Sequence, residues 1–292
     1  MIRPHASCAG ANLARANLAG AQLAYADLAA ADLTNANLAR ANLRHANIGC
    51  ISTGIEIVCA GLDGANLRGA DLRNTRLTHA TMVGTRLSGT QLAGAVMTSV
   101  RGIGVVGAPA SLPRNWRKID RFLIGPTADL EGASLRHLVL TGADLAGADL
   151  FKADVTGVTL TRVNLGGVQL EGVHSGGIVG HPSRLNAAWT VQKGYLIGPA
   201  ANLNGARLSH LHLPKGRVSG ASLVKASLAG ADLAGADLSG SNLTSADMTG
   251  ANLDGANLAR VTAGATVWSN TICPDGTNSK TDGATCVGHG VA

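Results

Sequence analysis

From Ala231 to Leu258 the chain reads ADLAGADLSGSNLTSADMTGANLDGANL, with Leu or Met at every fifth position and usually Ala two places before it. Helices repeat their apolar face near 3.6 residues and strands near 2, so a period of five fits neither and points to a repeat architecture. The same period fills most of the chain. Taking the Leu as the centre, one block runs from Leu13 to Ile48 in eight units, and a second from Leu62 to Met97 in eight. A third runs from Leu130 to Leu170 in nine units with Val155 as its one substitution, and a fourth from Leu203 to Leu258 in twelve, with Val218 and Met248.

Composition agrees with a narrow, regular interior. Hydrophobic residues are 46% of the chain, yet aromatics are only 2% and glycine reaches 39 residues. Leu and Ala must therefore fill the core without the large side chains that usually pack a thick one.

The consensus A(D/N)LxG or A(D/N)LxR, as in Ala16-Asn17-Leu18-Ala19-Gly20 and Ala143-Asp144-Leu145-Ala146-Gly147, strongly resembles the pentapeptide-repeat family. That resemblance implies an all-β fold, a right-handed quadrilateral parallel β-helix with loop interruptions. Four pentapeptides make one square coil, and the central Leu and preceding Ala point inward. With coils stacked at the strand spacing of about 4.8 Å, roughly nine coils give a rod on the order of 45 Å. The multi-block arrangement resembles bacterial members of high-GC, actinobacterial type.

The expected organisation is residues 1–97 for blocks one and two with a break at 49–61, an interruption loop at 98–129, block three at 130–170, a second loop at 171–202, block four at 203–260, and a C-terminal cap or tail at 261–292. The first repeat is read at Ala11, leaving the N-terminal coil end either poorly capped or a homodimer surface. The pattern fades after Leu258, and Trp268-Ser269-Asn270-Thr271-Ile272-Cys273 leads into a turn-rich stretch suited to folding over the last coil.

The two longer interruptions are themselves a repeat, offset by 73 residues. GAPASLPRNWRKIDRFLIGPTADL from Gly107 matches GHPSRLNAAWTVQKGYLIGPAANL from Gly180, pairing Trp116 with Trp189, Phe122 with Tyr195 and one LIGP with the other. Recurrence of the same Trp favours a plug that packs each loop back onto the coil over an exposed recognition residue. The third break is different: Cys50 and Cys59 bracket a short apolar run, and either a loop-closing disulfide or two thiols packed near the core would suit it.

Arg101-Gly102-Ile103-Gly104-Val105-Val106-Gly107 matches GxGxxG, but the flanking strand, helix and acidic residue of a dinucleotide site are missing. Asp27, Asp32, Asp144, Asp149, Asp232 and Asp237 recur before the central Leu; regular surface carboxylates without a cleft read as bonding to neighbouring backbone, not as acid and base. Cys273, Cys286 and His289 resemble a fragment of a zinc site, and a disulfide between Cys273 and Cys286, or free thiols, is the preferred reading. No catalytic residue, cofactor site or metal site is assigned.

A net charge of +6 allows an anionic partner. Arg114, Arg117, Lys118 and Arg121 crowd the first interruption around Trp116, with Asp120 alone opposing, and these five form the candidate partner-binding set. The expected function is a non-enzymatic scaffold binding another macromolecule, expected to be a protein, with no small-molecule substrate and with nucleic acid disfavoured. The family resemblance also implies an alternative, a DNA mimic that protects or inhibits DNA gyrase, from which a basic chain departs. A structural spacer is the third reading. No run of eighteen apolar residues suggests a membrane span, and MIRPHASCAGANL has no apolar signal-like core, so a cytoplasmic location is the default; a Cys273–Cys286 disulfide would point outside it.

Overall fold

The computed structural model describes residues 4–280 and 285–288. The chain is a right-handed quadrilateral β-helix whose bridged residues pair in parallel at a spacing of twenty, as in Asn12 with Asp32, Asn17 with Asn37, Gln22 with Asn42 and Asp27 with Asn47. Four pentapeptides therefore close one coil. Each side holds a bridge residue flanked by two inward side chains, and backbone bonds join successive coils above and below: Leu13 N–H donates to Asp32 O at 2.8 Å and Asp32 N–H to Ala11 O at 3.0 Å.

Each corner is a turn. Ala16 N–H returns to Leu13 O at 3.0 Å, and the third turn residue takes positive φ, 59° at Arg15 and 68° at Gly20. A turn of that type is cheapest with Gly or Asn there, which explains why the fifth slot is so often glycine. Inside, Leu23, Leu28, Leu33, Leu38 and Leu43 are fully buried with the alanines between them. At about 1.5–3 kcal/mol per buried Leu, the ladder is the main source of stability. Where Thr replaces the inward Ala, its hydroxyl bonds a carbonyl: Thr85 donates to Leu62 O at 2.9 Å and Thr90 to Leu67 O at 2.7 Å.

Two compact units divide the chain. The first comprises Met1–Glu131, Leu140–Asp149 and Arg162–Val168; the second comprises Gly132–Val139, Leu150–Thr161 and Gln169–Ala292. In the first unit the coil starts earlier than the sequence pattern indicated, because Ser7 bridges Asp27 and Cys8 takes the central slot. At 49–59 the register jumps from twenty to twenty-nine, as in Asp32 with Gly61. The extra residues form an antiparallel hairpin of β1 (Cys50–Ser52) and β2 (Ile57–Cys59), with Cys50 opposite Cys59 and disulfide-bonded to it. Of the two readings left open by the sequence, the disulfide is the one present.

The coil also runs on into the segment 98–129: Arg101, Val106 and Ser111 bridge Thr81, Arg86 and Gln91. Only then does a second hairpin leave it, with β3 (Arg117–Ile119) antiparallel to β4 (Phe122–Ile124). The two-residue strands β5 (Asn164–Leu165) and β6 (Arg184–Leu185) belong to the first and second unit respectively. In the second unit, β7 (Thr190–Gln192) and β8 (Tyr195–Ile197) form the matching hairpin.

The repeat does not fade after Leu258. Thr262, Val267 and Ile272 bridge Asn242, Asp247 and Asn252, and the buried Trp268 and Cys273 occupy central slots that Leu fills elsewhere. A cap follows. Cys273 N–H donates to Thr277 O at 2.8 Å, Thr271 N–H donates to Ser279 Oγ at 3.0 Å, the Ser279 hydroxyl donates to Trp268 O, and Cys273 is disulfide-bonded to Cys286.

Candidate functional site

The five residues of the candidate partner-binding set fall on the second hairpin of the first unit. Pro113 and Asn115 turn the chain out of its last regular side, with φ of 66° at Asn115, and Trp116 N–H closes back on Pro113 O at 3.1 Å. Successive strand residues face opposite ways, so Arg117 and Lys118 project from opposite faces of the ribbon. Arg114, Arg117 and Arg121 are exposed and Lys118 is half-buried. Two of the four cations hold backbone carbonyls: the Arg117 guanidinium donates to Thr141 O at 3.2 Å, and the Lys118 ammonium donates to Asp120 O.

Trp116 behaves differently from the cations around it. Its ring lies on Gly125, where a Cβ would come within 2.2 Å of the indole, and it packs against the apolar core. The hairpin is thus clamped from inside and charged outside.

Beneath the clamp sits a plug. Gly102 occupies a central inward slot, and the fully buried Leu123 side chain fills the volume it leaves; a Cβ on Gly102 would meet Leu123 at 2.7 Å. Leu123 N–H also donates to Gly102 O at 2.9 Å. The GxGxxG match therefore has a mechanical meaning: Gly102 makes room for Leu123, and Gly104 and Gly107 take φ of 73° and 82° at corners. In the second unit Leu196 is the plug, its N–H donating to Ser175 Oγ at 3.0 Å, and Trp189 lies on Gly198.

The carboxylates before each Leu serve the corners. Asp32 Oδ1 accepts Thr34 N–H at 2.9 Å and Asp237 Oδ1 accepts Ser239 N–H at 3.0 Å, the local side-chain-to-backbone bond that tightens a turn. Neighbouring coils add rungs, as where Asn257 Nδ2 donates to Asp237 Oδ1 at 3.1 Å. The Thr34 bonds hold the Asp32 carboxyl below its usual range. At Asp154, burial pushes the pKa up, but the Thr156 hydroxyl and N–H together with His174 and Arg136 outweigh it and the carboxyl ends low. Both shifts stabilise the ionised form and neither prepares a proton donor.

Among the described residues no three His, Cys, Asp or Glu side chains converge to hold a metal. Cys273 and Cys286 are joined to each other, and His289 lies outside the described residues. The second unit carries an open groove of about 530 Å³ lined by His137, His174, Tyr195, Asn204 and Gly177. Its walls are already engaged: Tyr195 Oη accepts Arg207 N–H at 3.1 Å and Asn204 Oδ1 accepts the Ser222 hydroxyl at 2.6 Å.

One feature escaped sequence reading. His5, Tyr25 and His45 stack at one corner of successive coils, with ring centroids 5.0 and 4.8 Å apart and planes within 3° and 7°. Their spacing of twenty was a usable signal, visible once the coil length is known.

A family model described as pentapeptide repeats matches residues 11–48, 60–98, 128–173 and 201–260, the last through two overlapping copies. No curated protein matches. Among solved structures, the chain is similar to HetL, a pentapeptide repeat protein involved in heterocyst differentiation regulation from the cyanobacterium Nostoc sp. strain PCC 7120, at 26% identity over 95% of this chain and 93% of that one, with a TM-score of 0.28. It is similar to Rfr23 from the cyanobacterium Cyanothece 51142 at 26% identity, over 51% of this chain and 91% of that one, with a TM-score of 0.19. Full-length QnrB1, a plasmid-mediated fluoroquinolone resistance protein, is 13% identical over 90% of this chain and 91% of that one, with a TM-score of 0.20.

Proposed function

The chain belongs to the pentapeptide-repeat family, and from that premise we propose that it acts as a non-enzymatic interaction scaffold: a rigid coil that presents the hairpin at 113–126 to another macromolecule, expected to be a protein. The observation that supports the reading is the division of labour within that hairpin. Leu123 and Trp116 fix it to the coil, while Arg114, Arg117 and Arg121 stand exposed on it. A pre-organised loop loses little conformational freedom on binding. Arginine, with its planar five-donor fork, suits carboxylate contacts. A DNA-mimic reading asks for an acidic surface, and the net charge of +6 weighs against it. Disulfides at Cys50–Cys59 and Cys273–Cys286 favour an oxidising compartment.

The test is a pull-down from cell extract and from culture medium with the intact protein beside an Arg114→Ser/Arg117→Ser/Arg121→Ser variant. A reproducible partner lost only in the variant, with thermal unfolding unchanged, places the contact at the hairpin. A partner retained equally by both removes the hairpin from the site, and recovery of gyrase subunits selects the alternative.

A further inference from the structure

We propose that two adjacent sides of the first unit form a second docking surface, distinct from the hairpin, for a carboxylate-rich surface of a partner protein; this rests on the scaffold reading above. Asn17, Asn37, Asn66 and Arg86 are the rungs of one side, and Gln22, Asn42, Asp71 and Gln91 those of the next. On these four coils and the corner between the two sides lie Arg40, Arg44, Arg68, Arg73 and Arg86 with Asp71 as the only carboxylate.

The register brings the arginines together. Arg40 N–H donates to Arg68 O at 2.9 Å at the shared corner, and a Cβ on Gly69 would touch the Arg40 side chain at 3.5 Å. Arg44 and Arg73 stand two places beyond paired rungs and converge on Asp71, at 3.9 and 2.7 Å. The Arg73 hydrogen bond holds the Asp71 carboxyl below its usual range, so this lone negative charge is spoken for. Arg40, Arg68 and Arg86 are exposed, with no ion pair among the described residues. On the other two sides Asp27, Asp32 and Asp63 offset Arg15, Arg76 and Arg101, so the net basic character of these coils belongs to this surface.

Two observations select a protein over a nucleic acid. Strand-following sites combine a long basic track with aromatic faces open to bases. Here His5, Tyr25 and His45 border the second side, but the two histidines cover both faces of the Tyr25 ring. Along the rungs of these two sides the charge stops at Arg86, since the next rungs down are Val106 and Ser111, and the cations that follow from Arg114 to Arg121 stand on the hairpin. A compact patch of guanidinium forks flanked by an aromatic edge matches clustered carboxylates better than a phosphate track.

Fluorescence anisotropy with the full chain tests this, using labelled poly-L-glutamate and a duplex DNA of equal charge as probes between about 0.05 and 0.2 M salt. Poly-L-glutamate should bind the unaltered protein more tightly than the DNA. Arg40→Ser/Arg68→Ser should weaken that binding about tenfold, since every 1.4 kcal/mol is a factor of ten and exposed charges contribute up to about 1 kcal/mol each. Arg15→Ser/Arg76→Ser removes the same charge from the other two sides and should leave it unchanged. Equal losses in the two doubles would reduce the effect to net charge, tighter binding of the DNA would make the partner a nucleic acid, and absence of peptide binding at low salt would remove the surface; each overturns the proposal. The probe being defined, failure here leaves the hairpin pull-down standing, and failure of that experiment leaves this one standing.

Discussion

The hairpins of the two units have the same interior and different exteriors. Leu123 and Leu196 are both buried plugs, and Trp116 and Trp189 both lie on a glycine of an LIGP turn, Gly125 and Gly198. Outside, the resemblance ends. Arg114, Arg117, Lys118 and Arg121 of the first hairpin correspond to Ala187, Thr190, Val191 and Gly194 of the second. Even Phe122 against Tyr195 follows the rule, because the added hydroxyl sits where it accepts Arg207 N–H and so brings no unmet polar group. Volume and backbone bonding restrict what faces the coil, whereas the outward positions of the hairpin are freer to vary. A charge difference on that outer surface, from Arg114 and Arg117 at the base to Arg121 at the turn, is therefore where a function peculiar to one hairpin would be written.

The comparison breaks most visibly if one plug is dispensable. Leu123→Ala and Leu196→Ala should each cost about 2–5 kcal/mol, the range for emptying a buried Leu site. Hydrogen exchange should localise the loss, at the Leu123 and Val105 amides in one case and the Leu196 and Ile178 amides in the other. A small cost for one of them would mean that the hairpins are held by different means. Next in size, Gly125→Ala and Gly198→Ala should each cost about 1–3 kcal/mol as overpacked sites, because the new methyl group has only the indole ring to enter. Gly132→Ala, where φ is 63° but the space is open, isolates the backbone part of such a change and should cost about 1 kcal/mol. Thermal unfolding of the three side by side separates the clamp from the turn.

Acid gives the smallest effect and sharpens the contrast between hairpin and coil. Asp32, Asp71 and Asp154 have folded pKa values below their usual one. Their stabilisation is present above the unfolded carboxylate pKa of about 4 and is lost as pH falls through the folded values. All three belong to coil sides. Lowering the pH from about 4 should therefore loosen the coil only slightly, because Asp32 is exposed and Asp71 and Asp154 are half-buried, and solvent screens their interactions. Fluorescence of Trp116 and Trp189 in a Trp268→Phe background, which reports the hairpin clamps without the coil tryptophan, should change only afterwards.

The fold was legible because the period is read directly from Leu, and a residue type repeated so regularly leaves few structures to choose from. It became illegible wherever another residue did Leu's work. Cys8, Trp268 and Cys273 fill central slots that a search for Leu passes over. Gly102 is harder still, since the side chain that fills its slot, Leu123, arrives from the far strand of a hairpin. Local pattern holds no trace of that pairing, and the glycines read instead as an empty cofactor motif. The candidate site was half legible. Charges on Arg114, Arg117 and Arg121 are visible in sequence, but the separation of Trp116 from them depends on Gly125, and the convergence of Arg44 and Arg73 on Asp71 depends on a register of twenty-nine that only the β1–β2 hairpin explains.

The twenty-residue register also governs how the gene for such a coil can change length. Within a regular block, insertion or loss of twenty codons returns every later residue to its former side, so the outer surface keeps its pattern and only its height changes. Five codons keep the interior intact but carry each later residue round to the neighbouring side, a silent edit for the core and a rewritten surface for any partner. A number that is not a multiple of five throws polar residues into the interior unless the surplus is looped out, as the hairpin closed by Cys50 and Cys59 does. Hairpins are thus the places where such a coil absorbs an uneven insertion without losing frame.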